Sequence, residues 1–250
     1  MTFPRLQNRK PRRMPTFVLF VLALVPPSLA GDPPKAEPAV ESPSAEKAES
    51  LFDGKTLDKW KIITKYDFED HGSVSVKDGA IHLKEGRPAT GIRWTGDTPR
   101  TNYELSFDAM RVEGGDFFVG LTFPVGESNC SWIVGGWGGS IVGLSNINDE
   151  PAAENETTQY MRFENKRWYH LRLRVTPASV QGWIDGKPVI DVKTENRKFS
   201  IWWEQEPALP LGFSTWITSA ALKDIRLKHV DAPANPPDDK TRTDSDSPAP

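Results

Sequence analysis

Three carboxylates, Asp108, Glu113 and Asp116, fall within nine consecutive positions. Glycoside hydrolysis uses two carboxyl groups that face one bond from ~5–10 Å apart, one as acid and the other as base or nucleophile. Three acidic side chains this close in sequence could supply such a pair, provided they point the same way. His170 adds a proton carrier whose ordinary pKa lies near neutrality, and it stands beside Arg172 and Arg174. Asp108, Glu113, Asp116 and His170 are therefore the candidate acid and base residues.

Binding chemistry is written mainly in tryptophan, of which there are nine. Indole faces pack on the C–H faces of sugar rings while polar neighbours take the hydroxyls. Trp60, Trp94, Trp168, Trp183 and Trp216 lie in or beside strand patterns and are expected in a core. Trp132 and Trp137 differ, because they flank or enter Gly135-Gly136-Trp137-Gly138-Gly139, where missing side chains let a ligand approach the backbone. Trp132, Trp137 and Arg162 are the candidate substrate contacts. The glycine run lacks a following helix and a Lys-Ser/Thr pair, which argues against a phosphate loop.

Asn146, Asn148 and Asp149, followed by Glu150, offer several oxygen ligands that Ca2+ or another divalent metal would accept if backbone carbonyls completed the shell. An ordinary turn is the alternative, since Asn and Asp are also turn formers. The four histidines, at positions 71, 82, 170 and 229, show no zinc-ligand spacing. Cys130 is the only cysteine, so no intrachain disulfide forms and a small buried side chain is expected there.

Positioning these groups falls to strands. In Trp168–Thr176, Tyr169, Leu171, Leu173 and Val175 share one face and His170, Arg172 and Arg174 the other, the two-residue period of a half-buried strand. Asp185-Gly186 then predicts a tight hairpin pairing Val180–Ile184 with Lys187–Val192, and Lys77-Asp78-Gly79 predicts another. Tyr103–Val112 alternates in the same way. Lys198–Glu206, with Pro207 and Pro210 close behind, reads as a strand end running into a loop. Many short strands at this spacing predict an all-β, antiparallel β-sandwich or jelly roll.

The ends have different compositions. Basic residues in Met1–Lys10 and at Arg12-Arg13, the apolar Phe17–Val25 and Ser28-Leu29-Ala30 mark residues 1–30 as a secretory signal peptide. Nine or ten apolar residues are about half of the ~20 needed to span a bilayer, so no membrane span is expected in the mature chain. Residues 31–50 read as a disordered linker and 230–250 as a disordered acidic tail, leaving 51–229 as one domain. The destination is exported, periplasmic or extracellular. A net charge of −3 argues against nucleic acid as a partner.

Leu51-Phe52-Asp53-Gly54-Lys55-Thr56-Leu57, followed by Trp60, resembles the opening of the 3-keto-disaccharide hydrolase-like domains, which are similar to concanavalin A-like lectins and glucanases. Asp78-Gly79-Ala80-Ile81, Tyr103–Phe107, Trp168–Val192 and Ala221–Leu227 are similar to that family's later strands. The resemblance implies a concanavalin A-like jelly roll, a carbohydrate or glycoside partner, a bacterial source, and cleavage of 3-keto-glycosides by a base that removes the C2 proton beside an electrophile. It also implies a Gln-x-His-Gly pattern before the final strand, where this chain has Ser214-Thr215-Trp216-Ile217. A middle strand with Glu and Gln is implied as well, and here Trp132–Ile141 has neither. Two readings follow: an enzyme of the 3-keto-glycoside type, or a non-catalytic carbohydrate-binding or interaction module on the same fold.

Overall fold

The computed structural model describes residues 48–231. The signal peptide expected over 1–30, the expected linker up to residue 47 and the expected tail from residue 232 lie outside the described residues. In chain order the strands are β1 (Glu49–Ser50), β2 (Trp60–Ile62), β3 (Val74–Lys77), β4 (Ala80–Leu83), β5 (Ala89–Trp94), β6 (Tyr103–Gly114), β7 (Val119–Val125) and β8 (Ser128–Gly135). They continue with β9 (Ile141–Ser145), β10 (Gln159–Tyr160), β11 (Trp168–Val175), β12 (Ser179–Ile184), β13 (Lys187–Lys193), β14 (Gly212–Trp216) and β15 (Thr218–His229). Every pairing is antiparallel.

Two sheets form the sandwich. The first runs β13-β12-β11-β6-β15-β4-β3, with β1 also on β15, and the second runs β10-β9-β8-β7-β14-β5-β2. The alternation read in β11 is realised: Tyr169, Leu171, Leu173 and Val175 are buried, opposite Ala109, Phe107, Leu105 and Tyr103 of β6. Both hairpin turns take the backbone that Asp-Gly supplies, with positive φ at Asp78, Gly79, Asp185 and Gly186. Between the sheets Phe107 meets Phe213 edge-on at 4.8 Å, and the Trp60 and Trp94 rings lie 5.1 Å apart.

Three sequence expectations need correction here. Glu49 and Ser50, assigned to the linker, pair with Leu227 and Arg226. Lys198–Glu206 is not a strand end: Phe199 makes an isolated bridge with Ile147, and Trp203–Ala208 then coils into a 3-10 turn. Trp168 and Trp183 are only half-buried on the outer face of the first sheet, where Lys223 lies 4.6 Å from one ring and Arg172 3.7 Å from the other. The cation covers the ring that a second core layer would otherwise cover.

Cys130 is buried on β8, and burial pushes its thiol well above the usual range. Neutral thiols are poor nucleophiles. Alkylation of Cys130 is expected only after unfolding, which mass spectrometry with and without denaturant would check.

On the first sheet's outer face Glu104 is 5% exposed and accepts hydrogen bonds from Arg172 at 2.9 Å and from both Nε and Nη2 of Arg174, at 3.0 and 2.9 Å, with Lys228 3.1 Å away. Burial alone would raise its pKa, but the donors from Arg172, Lys228 and Arg174 outweigh it and hold the carboxyl below the usual range. A depressed carboxyl pKa gives stability that is fully present above the unfolded value of ~4.3 and is lost as pH falls through the native value. Glu104→Gln should therefore cost on the order of 2 kcal/mol at neutral pH, discounted from fully buried pairs because the cations are partly wet. The difference should shrink below pH 4, measured by denaturant unfolding at both pH values.

Candidate functional site

Alternation along β8 and β14 decides what each face of the second sheet carries. Cys130, Trp132 and Val134 point into the core, whereas Ile133 points outward, as do Ser214 and Trp216 of β14. The chain between β13 and β14 then crosses this outer face. Ser200 and Asn146 exchange backbone hydrogen bonds, Phe199 O accepts from Ser128 Oγ, and buried Gln205 accepts from Ser214 Oγ at 2.7 Å. A pocket of about 320 Å³ opens beside this crossing segment. Its apolar walls are Phe117, Ile133, Trp137, Trp202 and Trp216, and its polar groups are Asp116, Glu204 and Gln205.

The aromatic walls are held at different depths. Trp137 is 46% and Trp202 42% exposed, while Trp216 is half-buried with its ring 6.2 Å from that of Phe117. Trp137 sits at the tip of a turn in which Gly135, Trp137, Gly138 and Gly139 all have positive φ. That glycine-rich turn projects the indole away from the sheet rather than folding it back. Asp116 ties the turn down: Oδ1 accepts from Phe117 N at 2.7 Å and Oδ2 from Gly138 N at 3.3 Å. Glu204 is less settled, because its Oε2 is buried without a hydrogen-bond partner.

The residues expected from sequence do not all converge. Asp116 and Trp137 meet at this pocket. Trp132 does not: it is wholly buried between the sheets, where a Cβ on Gly182 would come within 3.2 Å of its ring. The reason is the strand period, which turns Trp132 inward when Ile133 faces out. Asp108 and His170 do pair, Oδ1 to Nδ1 at 2.7 Å, with Lys223 Nζ 3.8 Å from Asp108. They lie on the first sheet's outer face, directly opposite in register on β6 and β11. Glu113, near the end of β6, accepts a hydrogen bond from Ser219 Oγ at 3.4 Å. The four acid and base candidates are thus split among three places.

Arg162 lines a separate cavity of about 500 Å³ on the far side of the glycine turn, with Arg111, Tyr160 and Asn165. In the Asn146, Asn148 and Asp149 group Asn146 Oδ1 is buried without a hydrogen-bond partner, and the other two side chains are engaged by Lys198. Asn148 Oδ1 accepts from Lys198 N, and both Asp149 oxygens accept from Lys198 Nζ at 2.9 Å. Positive φ at Asn148 and Asp149 gives the segment the backbone of a turn. Among the described residues no group of three or more His, Cys, Asp or Glu side chains gathers as metal ligands.

Sequence reasoning missed Glu204, Trp202 and Phe117. A signal was present in Trp202-Trp203-Glu204, where exposed indoles precede two prolines and no strand partner requires them. Trp216, expected in the core, is instead half-buried and turned to the outer face; the resemblance implies a histidine at its position, and Ile133 lies on the strand where it implies Glu and Gln. Both line this one pocket.

Comparison with solved structures gives the same fold. The Crh5 transglycosylase, in complex with NAG and in its apo form, superposes with TM-scores of 0.52 and 0.51 at 13% identity, over 75% of this chain and 85% of that one. Carbohydrate-binding module CBM66 from Bacillus subtilis is 12% identical over 68% of this chain and 95% of its own, with a TM-score of 0.44. No curated protein matches the sequence. Among the described residues no helix is long and apolar enough to cross a membrane. The model of the 3-keto-alpha-glucoside-1,2-lyase-like domain matches residues 47–228, nearly all of the sandwich. By that match the chain belongs to the 3-keto-alpha-glucoside-1,2-lyase-like domain family.

Proposed function

We propose that this chain is an exported glycan-recognition domain that holds a sugar in the aromatic pocket of the second sheet. The observation that carries the reading is Glu204 Oε2, a buried carboxylate oxygen with no donor in a pocket walled by Trp137, Trp202 and Trp216. Buried polar atoms are normally satisfied, and a sugar hydroxyl is the donor such a pocket would admit. The indoles would take the ring's C–H faces, and Asp116 would fix the glycine turn that carries Trp137. At the positions where the family resemblance implies a histidine and a polar strand, Trp216 and Ile133 can neither carry a proton nor stabilise an enolate. The basic and apolar segments within residues 1–30 support the export.

Cleavage of 3-keto-glycosides is the second reading. It is favoured by family membership and by the presence of two carboxylates, Asp116 and Glu204, at one pocket. In that case Glu204, which is free of protein donors, would be the base that removes the C2 proton.

Calorimetric titration of the intact chain with uncharged oligosaccharides, with 3-keto-glucoside turnover assayed on the same preparations, separates the readings. Binding without turnover, weakened by Glu204→Gln, is expected. Turnover abolished by Glu204→Gln would replace recognition with catalysis, and silence in both assays would remove both.

A further inference from the structure

A second pocket, of about 400 Å³, lies across the 3-10 turn from the aromatic one and is lined by Lys61, Lys65, Arg93, Tyr66 and Glu206 among others. Lys61 and Arg93 stand directly opposite each other on the antiparallel strands β2 and β5, both exposed on the face away from Trp60 and Trp94. Like charges placed opposite on neighbouring strands repel. Among the described residues, none of Lys61, Lys65 and Arg93 forms an ion pair. Glu206 is the one carboxylate lining the pocket, so three cations against it leave a net charge of +2. What sets these three apart is that they converge on one pocket, with Lys61 and Arg93 held side by side by the strand register.

The two pockets share a wall. Trp202, Glu204 and Gln205 face the aromatic side, Glu206, Pro207 and Leu209 face the basic side, and Trp203, 61% exposed, meets Tyr66 edge-on at 6.1 Å over the top. Only this six-residue turn, Trp203–Ala208, stands between the two linings, so one ligand can touch both.

We infer that the basic pocket is an anionic subsite and that the ligand is an acidic glycan. One sugar would lie among the indoles, and a later residue would present a carboxylate or sulfate ester to Lys61, Lys65 and Arg93. The inference rests on the proposed glycan recognition and adds the charge class of the ligand. Arg and Lys on adjacent strands would hold either anion by charge-assisted hydrogen bonds.

The test is calorimetry on the intact chain with a galacturonate tetrasaccharide, a sulfated galactan tetrasaccharide and an uncharged galactan tetrasaccharide. At low salt at least one acidic ligand should bind about 10-fold more tightly than the uncharged one, and high salt should erase that advantage. The arm that shows it distinguishes carboxylate from sulfate. The double variant Lys61→Ala with Arg93→Ala should lose the preference while keeping its affinity for the uncharged ligand, with a Tm equal to or above the parent's because the repulsion is gone. Equal affinities for all three ligands, or a preference that survives the double variant, would overturn the anionic subsite. Tight acidic binding that ignores Trp137→Ala would instead overturn the aromatic pocket as the anchor, and no binding by any ligand would overturn both.

Discussion

Trp132→Ala should lower stability by about 3–5 kcal/mol and Tm by roughly 10 °C, the cost of emptying a large aromatic site at the centre of a sandwich. The indole is fully buried on β8 and reaches toward Gly182 of β12 in the facing sheet, so it fills the space that a side chain at position 182 would otherwise occupy. Its Nε1 has no hydrogen-bond partner, which makes volume, not polarity, its contribution. Trp132→Phe should therefore cost under about 1.5 kcal/mol, because it keeps much of the bulk and removes the orphan N–H. Denaturant unfolding of the two variants distinguishes packing from hydrogen bonding. A larger loss for Trp132→Phe than for Trp132→Ala would contradict the account.

Trp137→Ala should weaken glycan binding by about 30-fold, or roughly 2 kcal/mol, the scale of a central aromatic contact. Stability should hardly change, because the side chain is nearly half exposed and stands clear of the core. Trp137→Gly separates the two quantities further. The residue sits at φ +47, a left-handed backbone that costs most side chains about 1–2 kcal/mol and glycine almost nothing. That variant should gain about 1 kcal/mol of stability while losing affinity, the pattern of strain retained at a working site. Calorimetry and thermal unfolding on the same samples would measure both. Unchanged affinity in both variants would remove Trp137 from the site.

Legibility followed the range of the interactions. Two-residue alternation and Asp-Gly turns are local, so the faces of β6 and of Tyr169–Val175 in β11, the pairing of β12 with β13, and the all-β sandwich could be read. Strands Glu49–Ser50 and Trp60–Ile62 were invisible because two or three residues carry no period, and they exist only through partners at Leu227 and Trp94. The site was legible only in part. Trp137 was marked by its glycines, but the wall containing Trp202 and Glu204 reaches the pocket through a crossing segment that no periodicity describes. Trp132 was misread by proximity in sequence, where a shift of one position exchanges the inside of a strand for the outside.

That one-position exchange has a wider consequence. Strand β8 carries two texts in alternating letters: Cys130, Trp132 and Val134 spell the architecture, and Ile133 on the reverse spells part of the surface offered to ligands. A lineage can rewrite the second text without smudging the first. The outward letters can therefore change while the inward ones stay packed, so the shape of the sandwich does not by itself dictate what its surface holds.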